Sequence, residues 1–104
     1  MIYLSSLQTL NLMNNKKTLP FEESSLNSNK TQRVFSKDLD QEDLEWHFDE
    51  EDRIIKPVGD TDWLFQFDNS LPQRIEGEIY IEKGVWHRLI KGSNDLILEV
   101  TKLQ

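Results

Sequence analysis

The segment "EIYIEKGVWHRLIKG", residues 78–92, has the pattern of two short strands joined by a tight turn. Ile79–Ile81 is rich in β-branched and aromatic residues, which favours a strand, and "EKG", ending at Gly84, is typical of a turn. The segment "VWHRLIK" after the turn favours a second strand. It contains His87, one of only two histidines in the chain, so this segment bears on both fold and chemistry.

Comparable short segments, separated by turn signals, follow one another from residue 33 to the end of the chain. They are "RVF", "EWHF", "RIIKPV", "DWLFQFD", "RIEGEIYI" and "LILEVTKL". Short strands at such regular spacing predict an all-β sandwich or barrel. We expect residues 32–104 to form that single domain.

The beginning of the chain has a different composition. "SSLNSNKTQ" is polar and "TLPFEESS" contains Pro20, so a flexible N-terminal arm is one prediction for residues 1–31. A short helix is the other prediction, because Leu4, Leu7 and Leu10 recur at helical spacing.

The net charge of the 104-residue chain is −7, which argues against a nucleic-acid partner. No apolar run reaches the length of about 18 residues that a membrane-spanning helix needs, so no membrane association is expected. The chain has no cysteine, which excludes disulfides and thiolate chemistry, and a cytoplasmic location is the expectation.

Acidic residues are concentrated in residues 38–55, where nine of them accompany a single arginine around His47. A solvated loop and a binding site for a cation are both consistent with this concentration of charge. The sequence leaves the two interpretations open.

Within this strand pattern, "IYIEKGVWHRL" resembles the second conserved motif of the cupin superfamily, in which a histidine lies three residues after a turn glycine. Gly84 and His87 form that pair here, and Glu82 stands where the family usually has proline. The chain is similar to the small single-domain cupins (monocupins) of uncharacterised function. The resemblance implies a cupin-like antiparallel β-barrel, which is a double-stranded β-helix or jelly roll.

The first cupin motif, a His-x-His pair followed by a glutamate and then a glycine, is matched only in part. In "HFDEEDRIIKPVG", His47 begins the motif, Asp49 takes the place of the second histidine, and Asp52 precedes Gly59 by the family's spacing. Together the two motifs span residues 45–92.

The resemblance implies a metal site inside the barrel, with His47, Asp49, Asp52 and His87 as candidate ligands. An extended "WHFDEEDR" places His47 and Asp49 on one face, whereas Asp52 needs a bulge to join them. Two histidines and a carboxylate suit iron(II), and manganese, nickel and zinc are further candidates. A barrel without any metal, in which His87 only forms hydrogen bonds, is an equally good interpretation.

Two further residues are candidates for the wall of a ligand pocket. Gln66 offers an amide on the strand face opposite the aromatic one, and Trp86 belongs to an aromatic set that forms either core or pocket lining. Arg53 is expected to form an exposed ion pair with one of the acids before it. Neither Arg53 nor Arg88 is strong evidence for an anion site.

The function predicted first is a small cupin-like protein that binds a small molecule in its barrel, with a divalent metal held by two histidines and a carboxylate as one option. The alternative is a non-catalytic binding or assembly module, a dimeric barrel scaffold without metal. Whether the protein is an enzyme is left open by the sequence. The distance between His47 and His87 separates these functions, because shared ligands of one ion lie a few ångströms apart.

Overall fold

A computed structural model describes residues 19–103 of the chain. Within that range the fold consists of eight strands: β1 (Glu22–Ser25), β2 (Lys30–Phe35), β3 (Arg53–Pro57), β4 (Leu64–Phe67), β5 (Gln73–Arg74), β6 (Ile79–Ile81), β7 (His87–Ile90) and β8 (Leu96–Lys102). The only helical element in this part of the chain is one 3₁₀ turn, Gln41–Asp43. The all-β prediction is confirmed.

The strands form two antiparallel sheets. The larger sheet has the order β1-β2-β8-β3-β6 and the smaller has the order β5-β4-β7. A single bridge between His47 and His87 adds the segment before β3 to the open edge of β7. The sheets enclose one core, in which the largest fully buried side chains are those of Trp63, Phe65 and Leu96.

The alternation of side chains along the strands determines which residues face this core. In β8, the central strand of the larger sheet, Leu96, Leu98 and Val100 are buried, and the residues between them are half-buried. Each apolar side chain removed from water stabilises the fold by roughly 1.5–3 kcal/mol. Because the strand period is two, the partners paired with these three positions also face inward.

The segment of residues 78–92 folds as its sequence pattern predicts. The first strand covers Ile79–Ile81, the second covers His87–Ile90, and the turn between them has Gly84 at φ 81°. This left-handed conformation favours glycine because a side chain would add a steric cost. The Gly84 N–H donates to the carbonyl of Asp49 at 2.9 Å, so the turn is attached to the segment that carries the second candidate ligand.

The predicted N-terminal arm is only partly within the described range. Its proposed helix of Leu4, Leu7 and Leu10 lies outside residues 19–103, and the boundary at residue 32 stays a prediction. The described portion contains β1 and the start of β2, which pair in antiparallel register. All four residues of β1 are exposed, so this edge strand lacks the apolar alternation by which strands are recognised in a sequence.

Candidate metal centre

The two histidines of the chain lie directly opposite each other. The backbone of His47 donates to the carbonyl of His87 at 3.0 Å, and His87 donates in return to His47 at 2.9 Å. Residues that face each other across an antiparallel pair project their side chains from the same face. Both imidazoles are therefore buried side by side, with ring centroids 4.3 Å apart.

Both imidazoles are oriented by the same hydrogen bond. Nδ1 of His47 lies 3.0 Å from the carbonyl oxygen of Glu45, and Nδ1 of His87 lies 2.8 Å from that of Val85. A carbonyl only accepts, so each Nδ1 carries the proton and each Nε2 carries the lone pair. A backbone acceptor on the distal nitrogen is the usual support of a metal-bound histidine, because it fixes the tautomer and the ring orientation.

Asp49 completes the cluster from the same strand face as His47. Its Oδ2 lies 3.4 Å from Nε2 of His87, and its Oδ1 lies 3.2 Å from Nη1 of Arg53. The potential ligand atoms of His47, Asp49 and His87 all lie within 4.8 Å of one another. Two atoms bound at about 2.1 Å to a tetrahedral ion are themselves about 3.4 Å apart, so the aspartate–histidine spacing fits an ion between them.

Burial keeps both histidines neutral. Desolvation, followed by repulsion from His87, lowers the pKa of His47 to about 3. Desolvation also lowers the pKa of His87, against the opposing attraction of Asp49. Neutral imidazole is the form that binds a metal, so no proton has to be removed at neutral pH before an ion can enter.

Two arginines that the sequence did not indicate for this site lie beside these residues. Arg53, expected in an exposed ion pair, is only 4% exposed and pairs with both Asp49 and Glu51. The expectation is wrong because Arg53 begins β3 on the same interior face as the buried Ile55, where it meets Asp49. Arg33 lies on the interior face of β2, where it pairs with Glu23 at 2.7 Å.

A cavity of about 40 Å³ opens over the cluster. Its polar wall consists of Arg33, Arg53 and the three candidate ligands, and its apolar wall is Phe35, Ile55, Phe65, Ile81, Leu89, Leu98 and Val100. Phe65 also stacks on the ring of His87, with centroids 5.4 Å apart. A few polar groups on an otherwise apolar wall are typical of small-molecule sites.

No protein-family model and no curated protein matches the chain. Solved structures do match. A cupin domain from Bordetella pertussis is 14% identical with a TM-score of 0.61, over 85% of this chain and 97% of that one. An RmlC-like cupin family protein from Methanocaldococcus jannaschii, with a double-stranded β-helix fold, is 11% identical with a TM-score of 0.61, over 84% of this chain and 83% of that one. The chain has the cupin fold.

A third match comes from crystal structures of DMSP lyases, with 16% identity and a TM-score of 0.55. It covers 68% of this chain, which spans only 35% of that protein. Identities of this size establish the cupin fold and not an activity. They confirm the expectation that followed from Gly84 and His87 in the second motif.

The partial first motif of the cupin fold contributes two of its three candidate ligands. His47 and Asp49 reach the interior, whereas Asp52 does not. The Asp52 carboxylate accepts hydrogen bonds from the Tyr80 hydroxyl at 2.7 Å and the Lys83 N–H at 2.8 Å, outside the barrel. Asp52 directly precedes β3, whose first residue, Arg53, faces the interior, and the Asp52 carboxylate projects away from it.

The two pocket residues predicted from sequence are also absent from the cavity wall. Gln66 faces away from the core because its neighbours Phe65 and Phe67 face it, and its amide binds Arg88 and the Ser70 carbonyl. Trp86 precedes His87 and so projects from the other side of the chain. It is 37% exposed.

Among residues 19–103, no helix has the length and apolar character needed to cross a bilayer.

Proposed function

We propose that this cupin-fold protein binds a divalent metal ion through Nε2 of His47, Nε2 of His87 and Oδ2 of Asp49, and a small molecule in the adjoining cavity. The observation that carries the proposal is the matched orientation of the two imidazoles. Each imidazole donates from Nδ1 to a backbone carbonyl, so its Nε2 lone pair is available to a metal ion. The Asp49 carboxylate lies 3.4 Å from Nε2 of His87, a distance that two ligands of one ion can have.

Two histidines and one carboxylate leave coordination positions open for a small molecule. A bound divalent ion would act there as a Lewis acid and polarise an oxygen of that molecule. The protein's own contribution is positional. Arg53 holds the second oxygen of Asp49 and so favours one-oxygen coordination, and Phe65 holds the ring of His87. Iron, manganese, nickel and zinc all accept this donor set.

The test is metal binding by untagged protein. We expect one equivalent of zinc or manganese per chain after dialysis, measured by elemental analysis, and a higher melting temperature with the ion than with EDTA. Binding only to the native state raises stability by RT ln(1 + [L]/Kd), about 2.7 kcal/mol at a hundredfold excess over Kd.

Matched aspartate variants make the test specific. Asp49→Asn is expected to lower metal affinity by at least about tenfold. Asp52→Asn removes a carboxylate only three positions away in the chain and is expected to leave metal affinity unchanged. Equal metal binding by wild type and by a His47→Ala, His87→Ala double variant would overturn the proposal.

We also propose a homodimer and a cytoplasmic location, although a dimer is equally expected of the alternative, a scaffold without metal. Light scattering of the metal-loaded protein tests the first, and cell fractionation tests the second. A monomer at micromolar concentration would remove the homodimer while leaving the metal site untouched.

A further inference from the structure

The proposed metal site does not account for the two arginines of the cavity wall, of which Arg53 is buried and Arg33 is 14% exposed at its side chain. Arg33 is paired across the sheet with Leu98, a core residue that is 3% exposed, so Arg33 occupies an interior position where an apolar side chain is the norm. Arg53 enters the same cavity from β3, on the other side of β8. Buried guanidinium groups are rare unless they are paired, because desolvation of the charge is costly.

The protein pairs these guanidinium groups only in part. Arg33 donates through Nε to Glu23, and its face lies 4.2 Å from the centre of the Phe21 ring. Arg53 donates through Nε to Glu51, and its Nη1 forms an ion pair with Asp49 Oδ1 at 3.2 Å.

Among residues 19–103, the hydrogen bonds of both guanidinium groups run through Nε. In this range the buried side-chain polar atoms without a partner are Thr31 Oγ1 and Glu45 Oε1, so the Nη groups of Arg33 and Nη2 of Arg53 are not sealed donors and remain accessible from the cavity or from solvent.

The two arginines also repel each other. Burial lowers the pKa of Arg33, and Arg53 is among the charges that lower it further, whereas Glu23 opposes both. An anion between the two side chains would relieve this repulsion and supply acceptors for the remaining donors. The guanidinium fork matches the two oxygens of a carboxylate.

We propose that the cavity binds the carboxylate of a short-chain acid, of about two or three carbon atoms, through the Nη groups of Arg33 and Arg53. The size follows from the cavity, since about 40 Å³ corresponds to roughly three water-sized groups. The apolar wall around Ile55 and Phe65 suits a short alkyl group. The inference deepens the proposed function by giving a chemical class to the small molecule beside the metal.

The experiment measures acetate binding by calorimetry at constant ionic strength, with acetamide as the uncharged isostere. Both ligands are titrated into metal-free wild-type protein and into protein loaded with Zn²⁺. Acetate is expected to bind in both forms, more tightly with the ion, and acetamide is expected to bind at least about tenfold more weakly.

Variants locate the site. Arg33→Gln is expected to weaken acetate binding by about tenfold or more, with the zinc content unchanged. Arg88→Gln makes the same chemical change on an arginine outside the cavity, and acetate binding should match that of wild type. Glu23→Gln removes the charge that competes for Arg33 and is expected to tighten acetate binding.

The outcomes for the two proposals are separable. Equal binding of acetate and acetamide, or unchanged acetate binding by Arg33→Gln, overturns the carboxylate site even if zinc binds. Failure of both zinc and manganese to bind overturns the metal site, and acetate binding by the metal-free protein then still decides the carboxylate site. If Arg33→Gln does not fold, as judged by circular dichroism, two other variants replace it. Arg33→Lys is expected to weaken acetate binding, and Glu23→Gln is expected to tighten it.

Discussion

His47 and His87 are buried in their neutral form, and this burial makes stability depend on pH. In the unfolded chain a histidine has a pKa near 6.5, whereas burial lowers the pKa of His47 to about 3 in the folded protein. Above pH 6.5 the two states bind the same number of protons at His47. Between pH 6.5 and 3 the unfolded chain takes up a proton that the folded protein does not.

Metal-free protein is therefore expected to lose stability as the pH falls from 6.5 towards 3, by up to about 1.4 kcal/mol per pH unit for His47. Urea denaturation at several pH values in EDTA measures the effect. His47→Gln is the control, because the carboxylates contribute equally to the pH dependence of stability in wild type and in this variant. Parallel pH profiles for wild type and His47→Gln would contradict the assignment.

The ion pair of Asp49 and Arg53 is buried on both sides, with side chains 4% and 5% exposed. Arg53→Met would leave the Asp49 carboxylate in the interior without this partner. Removal of one member of a buried pair costs roughly 3–5 kcal/mol, so Arg53→Met should show that loss in urea denaturation.

Arg74→Met is the matched control for Arg53→Met. Arg74 pairs with Glu76 at the surface, with both side chains more than two-thirds exposed. Exposed pairs contribute less than about 1 kcal/mol. Similar losses for the two variants would show that the interior pair is solvated.

Single residues differ in how far the sequence predicts them. His47 and Asp49 are two positions apart, and side chains alternate along an extended chain. Their common face is therefore predictable from the local sequence alone. Arg53 follows the same alternation, but its charge and its acidic neighbours suggested the surface. Its burial depends on the carboxylates that accompany it inside, and a sequence does not show which charges are paired in three dimensions.

The β6–β7 turn joins local conformation to the site, because Gly84 has a left-handed φ and donates to the carbonyl of Asp49. Gly84→Ala is expected to lower stability by about 1–2 kcal/mol, since a Cβ is disfavoured in that conformation. Nothing lies within 4 Å of the position a Cβ would take, so the cost is conformational and not steric crowding by neighbours.

Gly84→Asn distinguishes these causes, because asparagine tolerates the left-handed region better than alanine does. Thermal melts should therefore rank wild type above Gly84→Asn and Gly84→Asn above Gly84→Ala. A lower melting temperature for the larger asparagine than for alanine would contradict a conformational origin.

Elements with an apolar face were predictable, and elements without one were not. The strands Ile79–Ile81 and Leu96–Lys102 alternate buried and less buried residues, as their sequences do. β1 is exposed at every position and becomes a strand only because β2 provides a partner edge. That pairing is a tertiary contact, so the sequence of Glu22–Ser25 alone favours a loop.

On the scale of the whole molecule, the larger sheet begins earlier than residue 32. A chain of residues 32–104 lacks β1, the ring of Phe21 that packs 5.3 Å from that of Phe35, and the Glu23 partner of Arg33. It should be less stable than a chain of residues 19–104 by at least about 2 kcal/mol. Equal denaturation midpoints for the two chains would support a domain boundary at residue 32.

The architecture was predictable because turns and short strands recur at regular intervals. The contents of the barrel were only partly predictable. To predict that His47 and His87 share one site, one must know that two distant segments pair. The cupin resemblance provided that information. Arg33 had no such guide, because neither motif extends to β2.

The bridge between His47 and His87 has a consequence for folding. The histidines are forty positions apart in the chain, so an unfolded chain brings them together only by closing a long loop. Before that loop closes, an ion would find only one histidine, His47, beside the carboxylates of residues 38–55. Ion capture is therefore a late event in folding, and nearly all of the binding free energy would stabilise the native state instead of guiding the chain towards it.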